Sequence, residues 1–410
     1  MNSVLKRMEL LVGDNKPISH VYRSFQFNDE PRFCQFTAFF DDQEDNHGSG
    51  MDFDVKTAKI KALGEAIERY CLSSFDKNDF LHTSYSKLDK AISPLRFINY
   101  LDVDKMNSEN KEKLENMDLN WSLMKDCFSG KDTYLPSQLI YVPYHAKELH
   151  LRAPISSGAA CASSKDIAIY KGICELIERD AFIIYYCNKL SPKKIEVDKI
   201  ADSEITSLVD KFRDYFLQIN LFVLDTDLDI PTVLCVLTDD SGVGPAVSIG
   251  TKTDYDIFTA IKGALLEAQH SRQWIRYLKI TTGKKISAPS EIIEIEDRGL
   301  FWYDKKMVKE LDFIMNTKLV ADLSTYSVPK NTLKQLLRTL KEKNYLVYTK
   351  NLTTPEIKEL GFCVYKTIVP DLQPIYLFED SKYVFGKRLS NIPVYLNQKP
   401  IVNKTPHPFV

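Results

Sequence analysis

The chain contains 410 residues, of which 44% are hydrophobic and 27% are charged, and its formal net charge is −2. A chain of this size can bury a large core, and its charge balance excludes a strongly basic nucleic-acid-binding surface. No apolar segment approaches the length of a membrane span, and the charges between Lys6 and Asp14 do not fit a signal peptide. We therefore expect a cytoplasmic protein with neither a nucleic-acid partner nor a membrane partner.

Hydrophobic periodicity predicts both strands and helices along the chain. The predicted strands are 33–41, 230–238, 244–250 and 362–369, with a further candidate at 139–144. The predicted helices are 55–74, 166–187, 203–218, 254–278 and 331–343, with a short helix that is capped by Thr354, begins at Pro355 and stops at Gly361. The polar segment 104–115 predicts either an exposed helix or an insertion. This order of elements favours an α+β fold.

Two predicted helices carry the same motif 110 positions apart. The first copy reads KALGEAIER from Lys61 to Arg69, and the second reads KGICELIER from Lys171 to Arg179. A looser third copy shares the frame A-x-x-x-[AG]-[LI]-x-E and ends at Glu267. Small-residue loops precede the copies at 48–50, 156–158 and 248–250, and the predicted capping residues are Asp54, Ser164, and either Thr253 or Asp254. The sequence therefore predicts three similar strand-loop-helix units.

The carboxylates of the first motif share a helix face with small residues. Ala58 and Ala62 lie on the side of Glu65 and Glu68, while the branched apolar residues lie on the opposite side. Small residues beside carboxylates indicate that another group approaches the helix backbone there. The alternative is a solvated surface helix, in which such charge pairs each add about 0.2–0.5 kcal/mol. Repetition of both the motif and its loop favours a binding site.

The three motifs together carry five glutamates, which are Glu65, Glu68, Glu175, Glu178 and Glu267. Carboxylates brought together raise one another's pKa values, and Mg²⁺ relieves their repulsion because it prefers hard oxygen ligands. Loops before the helices present backbone N–H groups that suit phosphate oxygens. The arginines that follow the glutamates predict bidentate phosphate contacts, and they are Arg69, Arg179 and Arg272. The pattern predicts a site for a nucleotide and Mg²⁺.

Four segments of the chain resemble the signature of the YcaO-domain family. They are ALGEAIER at 62–69, SGAA at 157–160, ELIERDA at 175–181, and GFCVYKTIVPDLQP at 361–374. The resemblance covers roughly residues 45 to 400, and the ordered set of motifs is highly specific. It implies a single α+β domain of mixed sheets and helices, with three pseudo-repeated strand-loop-helix units around a nucleotide site.

Members of this family bind ATP and Mg²⁺ through the glutamates of these motifs. Carried over to this sequence, the implied metal ligands are Glu65, Glu68, Glu175 and Glu178. Arg179 becomes a phosphate contact, and Glu267 and Arg272 match the third motif. Ser157 stands where the family often has Asn, and it is expected to contact the nucleotide because Ser can still form hydrogen bonds. His270 stands where the family often has Gln.

The resemblance implies an enzyme that uses ATP to activate a peptide backbone amide. The expected reaction is cyclodehydration of Cys, Ser or Thr in a ribosomally synthesised precursor peptide, which gives a thiazoline or an oxazoline. One alternative is a sister reaction at the same site that makes a thioamide or a macrocyclic amidine. Another is a noncatalytic nucleotide-binding scaffold within a peptide-modifying complex. The intact glutamates favour an enzyme over a scaffold.

The C-terminal tail, 401–410, carries a Pro-containing sequence that ends at Val410. Azoline-forming relatives resemble one another in a Pro-rich carboxyl terminus, and Val410 occupies the place of the third alternating Pro. The tail is expected to deliver the carboxylate of Val410 as a catalytic base. The alternative is an ordinary disordered tail.

The expected division of the chain is an N-terminal segment (1–44) packed on a YcaO ATP-binding catalytic domain (45–400), followed by the tail. No separate N-terminal domain that could bind a leader peptide is evident. The expected partners are therefore the precursor peptide and a leader-binding protein, E1-like or related, with a dehydrogenase as a further candidate in the same complex. We expect a homodimer on general frequency alone.

Overall fold

The computed structural model describes residues 2–40, 47–98, 106–379, 382–384 and 386–410. Its strands are β1 His20–Arg23, β2 Cys34–Phe39, β3 His47–Asp52, β4 Leu81–Ser84, β5 Asp118–Asp126, β6 Asp132–Pro136, β7 Ala159–Ala162, β8 Lys193–Ile195, β9 Gln218–Val223, β10 Thr232–Thr238, β11 Val247–Thr253, β12 Tyr348–Asn351 and β13 Cys363–Ile368. Its helices are α1 Asn2–Glu9, α2 Val55–Ser73, α3 Ser108–Glu115, α4 Lys165–Cys187, α5 Ser203–Arg213, α6 Ile257–Thr282, α7 Ile295–Phe301, α8 Asp312–Met315, α9 Thr332–Glu342, α10 Pro355–Glu359 and α11 Lys387–Tyr395. The mixture of helices with several sheets confirms the predicted α+β class.

The chain forms two compact units that alternate along the sequence. The first unit comprises Met1–Phe25, Phe33–Leu176 and Asn331–Leu372, and the second comprises Gln26–Arg32, Ile177–Lys330 and Gln373–Val410. The boundary between Leu176 and Ile177 falls inside helix α4. The boundary predicted between residues 44 and 45 lies outside the described residues. Among the described helices, none has both the length and the apolar character of a membrane span.

The first unit contains two antiparallel sheets. One has the strand order β1-β2-β3, and the other has the order β4-β5-β12-β13-β7 with β6 paired to β5. Helix α2 packs on β3 through glycines, since a Cβ atom at Gly48 would lie 2.2 Å from the backbone nitrogen of Ala66. A Cβ atom at Gly50 would lie 2.4 Å from the nitrogen of Ala62. The small residues of α2 therefore admit a neighbouring strand of the same unit.

The second unit contains one antiparallel sheet with the order β11-β10-β9-β8. All seven residues of β10 are buried, which agrees with the run of five apolar residues at 233–237. Helix α6 packs on β11 as α2 packs on β3. A Cβ atom at Gly250 would lie 2.3 Å from both the carbonyl oxygen of Ala264 and the backbone nitrogen of Ala268.

The structure confirms most predicted elements and corrects three details. Helix α5 ends at Arg213 rather than near 218, because the chain turns at Phe216, which has a φ of 58°. The candidate strand 139–144 is wrong: a short helical turn ends at Leu139, and Pro143 has no N–H for a β-ladder. Strand β11 extends to Thr253, so Asp256 caps α6 instead of Thr253 or Asp254.

The predicted caps Asp54 and Ser164 and the polar segment agree with the structure, whereas Thr354 stands at the N-cap of α10 without a capping hydrogen bond from its side chain. The side chain of Asp54 accepts a hydrogen bond from the backbone N–H of Thr57, at the start of α2. Ser164 accepts one from the N–H of Ile167 in the first turn of α4. Helix α3 occupies the polar segment from Ser108 onward, while residues 104 and 105 lie outside the described part of the chain.

Candidate functional site

Three predicted ligand glutamates of the first unit are held by backbone N–H groups. Glu65 accepts a hydrogen bond from the N–H of Ser49 on β3, at 2.8 Å. Glu68 accepts one from Cys161 on β7 at 3.2 Å, and Glu175 accepts one from Gly158 at 3.1 Å. We call Glu65, Glu68 and Glu175 the first acidic cluster. Each side chain leaves its helix at a position fixed by a strand or by the loop before a strand.

Burial and mutual repulsion both act on the first acidic cluster. The pKa of Glu68 is raised well above its usual value, first by removal from solvent and then by the charges of Glu175 and Glu65. Arg69 donates to Glu65 at 2.7 Å, and the Glu65 charge raises the pKa of Arg69. One arginine therefore faces three carboxylates. All three glutamates are partly rather than fully buried.

The loop before β7 is anchored by a buried lysine that the sequence reasoning missed. Nζ of Lys366 donates to the carbonyl oxygens of Ile155, Ser156 and Ser157, at 2.8, 3.2 and 2.8 Å. Burial lowers the pKa of Lys366 to about 7. The loop leads into Gly158, whose N–H is bound to Glu175. A lysine inside the predicted strand 362–369 was the available signal, because Lys is almost never fully buried without partners.

The second unit contains a second acidic cluster, formed by Glu178 and Glu267. Buried Glu178 accepts hydrogen bonds from the hydroxyl of Thr251 and the N–H of Thr253, both at 3.1 Å. Glu267 accepts one from the N–H of Thr251 at 3.1 Å. The pKa of Glu267 is raised to about 7, first by burial and then by the charge of Glu178. Removal of one carboxylate would therefore ease ionisation of the other.

Arg179 lies between the two carboxylates of the second acidic cluster. Its Nη1 is 3.2 Å from Oε1 of Glu178 and 3.7 Å from Oε1 of Glu267. Lys252 contributes a weaker contact, with its Nζ 3.9 Å from Oε2 of Glu178. A guanidinium in this position carries several N–H donors suited to a phosphate oxygen.

One hydrogen bond recurs in all three motifs. The first glutamate of each motif, Glu65, Glu175 or Glu267, accepts a backbone N–H from a residue 16 or 17 positions earlier in the chain. The second glutamate, present in two motifs as Glu68 and Glu178, accepts an N–H from β7 or β11 respectively. In the first and third motifs the donor to the first glutamate lies on a strand, whereas in the second motif it is Gly158, in the loop before β7.

The tail is ordered within the second unit, so the alternative of a disordered tail is wrong. The carbonyl oxygen of Pro406 accepts hydrogen bonds from the hydroxyl of Tyr186 and the indole N–H of Trp302, at 3.0 and 2.9 Å. The ring centroid of Phe409 lies 4.1 Å from the guanidinium carbon of Arg179. Val410 packs against α7, because a Cβ atom at Gly299 would lie 3.2 Å from its Cγ1.

Arg272 occupies a different environment from the one predicted. Its guanidinium is buried and donates to Glu30 at 2.8 Å, to Asp239 at 2.7 Å and to the carbonyl oxygen of Pro245 at 3.2 Å. Each of its three nitrogens therefore has a protein partner. Arg276 donates to Glu30 as well, at 2.8 Å. A phosphate would have to displace buried carboxylates to bind Arg272, so the ion pairs favour a structural role.

Each acidic cluster brings carboxylate oxygens together, and these are the hard ligands that a divalent cation such as Mg²⁺ prefers. Within the described part of the chain, no group of three or more Cys, His, Asp or Glu side chains is arranged to hold a metal ion by itself. The pKa values of Glu68 and Glu267 are nevertheless raised, first by burial and then by the charges of neighbouring glutamates, and a bound cation would oppose both effects. Mg²⁺ is commonly held by one or two carboxylates together with phosphate oxygens and water. The incomplete sets are therefore suited to a cation that arrives with a phosphorylated ligand.

Solved structures of other proteins share this fold. A heterocyclase in complex with substrate and cofactor superposes with a TM-score of 0.80 at 18% identity, over 99% of this chain and 57% of that one. YcaO from Methanopyrus kandleri, bound with AMPPCP and Mg²⁺, superposes with a TM-score of 0.66 at 14% identity, over 99% of this chain and 94% of that one. At these identities the likeness shows the fold alone. The chain spans little more than half the length of the heterocyclase.

Sequence comparison gives a broad match as well. An uncharacterised protein of Methanothermobacter thermautotrophicus is 26% identical over 324 residues, which cover 77% of this chain and 79% of the relative. A family model described as YcaO cyclodehydratase, ATP- and Mg²⁺-binding, matches residues 48–373. That match contains the three motifs and the Lys366 strand. The chain belongs to the YcaO family.

Proposed function

We propose that this protein is an ATP- and Mg²⁺-dependent enzyme that activates peptide backbone amides. The proposed reaction is cyclodehydration of Cys, Ser or Thr in a ribosomally synthesised precursor peptide to an azoline. Membership of the YcaO family supports the use of ATP. The fold shared with a heterocyclase that was solved with substrate and cofactor supports ring formation.

The observation that carries the proposal is the placement of Glu68 beside Glu65 and Glu175, with each carboxylate held by a backbone N–H group. Like charges held together by fixed backbone hydrogen bonds indicate a site built for a cation. We propose Glu65, Glu68, Glu175 and Glu178 as Mg²⁺ ligands, as the sequence predicted. Bound Mg²⁺ would neutralise negative charge on the phosphates of ATP. This assignment makes the glutamates the residues on which nucleotide binding depends.

The proposed nucleotide contacts differ in how the structure supports them. Arg69 and Arg179 are joined to the glutamates by ion pairs and present N–H donors that suit phosphate. The carbonyl oxygen of Ser157 accepts a hydrogen bond from Lys366, in the loop that leads to the first acidic cluster. Glu267 accepts one from the N–H of Thr251 in the second acidic cluster. For Arg272, the buried ion pairs support a role in the fold instead.

The proposed chemistry is as follows. The thiol or hydroxyl of the substrate attacks the carbonyl carbon of the preceding amide, and ATP phosphorylates the resulting oxyanion. Phosphate then leaves with the former carbonyl oxygen, so the products are an azoline, ADP and phosphate. Arginines are suited to stabilise the charge that develops during phosphoryl transfer. The base that removes the substrate proton is predicted to be the carboxylate of Val410, and this role stays a prediction.

The test uses a precursor peptide with a heavy-oxygen label in the amide before a cysteine. Cyclodehydration transfers the label into the released phosphate, and the peptide loses one water per ring, as mass spectrometry would show. Exchange of amide oxygen for sulfur would instead identify a thioamide, and water loss involving an amine would identify an amidine. ATP binding without any change in the peptide, in the presence of its partner proteins, would support the scaffold alternative.

We also propose the setting in which this reaction occurs. The expected partners are the precursor peptide, a leader-binding protein that is E1-like or related, and a dehydrogenase in the same complex. The expected location is the cytoplasm, and the expected oligomer is a homodimer. Copurification of a leader-binding protein with the tagged chain would test the expected partner.

A further inference from the structure

His407 lies in the middle of the tail and is completely buried. Its Nε2 is 3.1 Å from the carbonyl oxygen of Tyr376, and its Nδ1 is 3.2 Å from the backbone nitrogen of Phe409. A carbonyl oxygen only accepts, and a backbone N–H only donates. The two partners therefore require the neutral tautomer with its proton on Nε2. Burial lowers the pKa of His407 well below its usual value, which agrees with this tautomer.

Aromatic side chains fix the plane of the His407 ring. The rings of Phe182, Tyr186 and Tyr376 meet it edge-on, with centroids 5.8, 6.3 and 4.5 Å away. Because these three rings restrict rotation of the imidazole, the acceptor Nδ1 stays directed at the N–H of Phe409. His407 thus determines the direction of the chain two residues later.

Phe409 transmits this direction to Arg179. Its ring packs on Phe182, with centroids 5.5 Å apart, and presents its face to the guanidinium of Arg179 at 4.1 Å. An aromatic face attracts a cation, and the attraction is stronger where water is excluded. Ion pairs with Glu178 and Glu267 hold the same guanidinium. The tail therefore helps to fix the guanidinium that contacts both carboxylates of the second acidic cluster.

We propose that His407 is a positioning residue for Arg179 and acts through Phe409. Nucleotide affinity then depends on a tail residue that lies far from the motifs along the sequence. The inference rests on the proposed role of Arg179 as a phosphate contact. It goes beyond the predicted role of the tail as a base, because it concerns binding of the nucleotide before any chemistry. It also gives His407 a role that requires its neutral tautomer.

The test compares His407→Leu, which removes both hydrogen bonds, with His407→Asn, which keeps an acceptor near the place of Nδ1. Phe409→Leu removes the aromatic face but keeps an apolar side chain, and His82→Leu replaces an exposed histidine of the first unit as a control. Two quantities are measured for each variant. They are hydrogen exchange of the peptide covering 404–410, by mass spectrometry, and the Kd of ATP with Mg²⁺, by calorimetry.

His407→Leu should speed exchange in the tail and weaken ATP binding by about 3- to 10-fold, the effect of one cation–π contact. His407→Asn should restore much of both, and Phe409→Leu should weaken binding while His407 still holds the segment before it. Unchanged ATP affinity in His407→Leu and Phe409→Leu would overturn the inference. Failure of the wild-type protein to bind ATP would contradict the proposed function itself, and the exchange data would still report whether His407 orders the tail.

Discussion

A Cβ atom at Gly50 would lie 2.4 Å from the backbone nitrogen of Ala62, so the backbones of strand β3 and helix α2 approach closely at this point. This close approach brings the backbone of β3 within hydrogen-bonding reach of the motif glutamate. The Ser49 N–H, one residue before Gly50, binds Glu65 at 2.8 Å. The small residues of the motif thus act on the first acidic cluster indirectly. They allow β3 to approach α2, and β3 positions the carboxylate of Glu65.

Gly50→Ala should destabilise the protein by about 1–3 kcal/mol, because the added methyl must push β3 away from α2. Gly64→Ala is the matched control. It lies on α2, where the closest atom to an added Cβ is Cε of Met8 at 4.0 Å, so it should stabilise by about 0.5–1 kcal/mol. Urea unfolding measures both changes. Equal stability of the two variants would mean that the packing of β3 on α2 is looser than described.

Binding of Mg²⁺ with ATP should release protons and tighten as pH rises. Glu68 has a raised pKa in the metal-free protein, and a bound cation favours its carboxylate form, so binding displaces a proton. Calorimetry in buffers of different ionisation enthalpy measures the number released. Glu68→Gln should reduce both the proton release and the pH dependence, and a wild-type affinity that does not change with pH would argue against Glu68 as a ligand.

The same pKa shift predicts how stability depends on pH. Because the pKa of Glu68 is raised in the folded state, the folded protein binds more protons than the unfolded chain above the ordinary pKa of a glutamate. Stability without metal should therefore fall as pH rises through the interval between the two pKa values. Added Mg²⁺ and ATP should reduce this loss. Thermal unfolding at several pH values, with wild-type protein and Glu68→Gln, checks the sign.

Arg272→Ala should act mainly on folding. The substitution leaves Glu30 and Asp239 buried without one of their cations, and breaking a buried ion pair typically costs about 3–5 kcal/mol. Glu30→Gln should destabilise the protein too, although Glu30 belongs to no motif. Denaturant unfolding measures the losses. A stable Arg272→Ala protein that no longer binds ATP would restore the phosphate contact predicted from the sequence.

Local signals in the sequence were sufficient for the helices that carry the motifs. Asp54 caps α2 as expected, and the periodic residues after it define the helix to within one residue at Ser73. Local sequence signals did not predict the end of a helix where the turn after it contains no Gly, Pro or Asn. Phe216 adopts a positive φ that few non-glycine residues show, so nothing in the sequence marks the end of α5.

Contacts between distant parts of the chain were beyond the sequence reasoning. Glu30 meets Arg272 across 242 positions, and no spacing pattern connects them. The packing of the tail also depends on distant residues. Its composition suits an extended segment, but Tyr186 and Trp302, which are far away along the chain, hold it by hydrogen bonds to Pro406. Buried polar pairs of this kind are specified by the fold, whereas the glutamate motifs are specified by local repetition.

The central claim is that the motif glutamates bind Mg²⁺ for a nucleotide, and calorimetric titration of ATP with Mg²⁺ tests it most directly. The comparison uses wild-type protein, Glu178→Gln and the control Glu204→Gln, which replaces an exposed glutamate paired with Lys262. Binding to the wild type and the control should require Mg²⁺ and should be lost in a folded Glu178→Gln protein. Equal affinity in all three proteins would contradict the claim and leave the acidic clusters as structural charges.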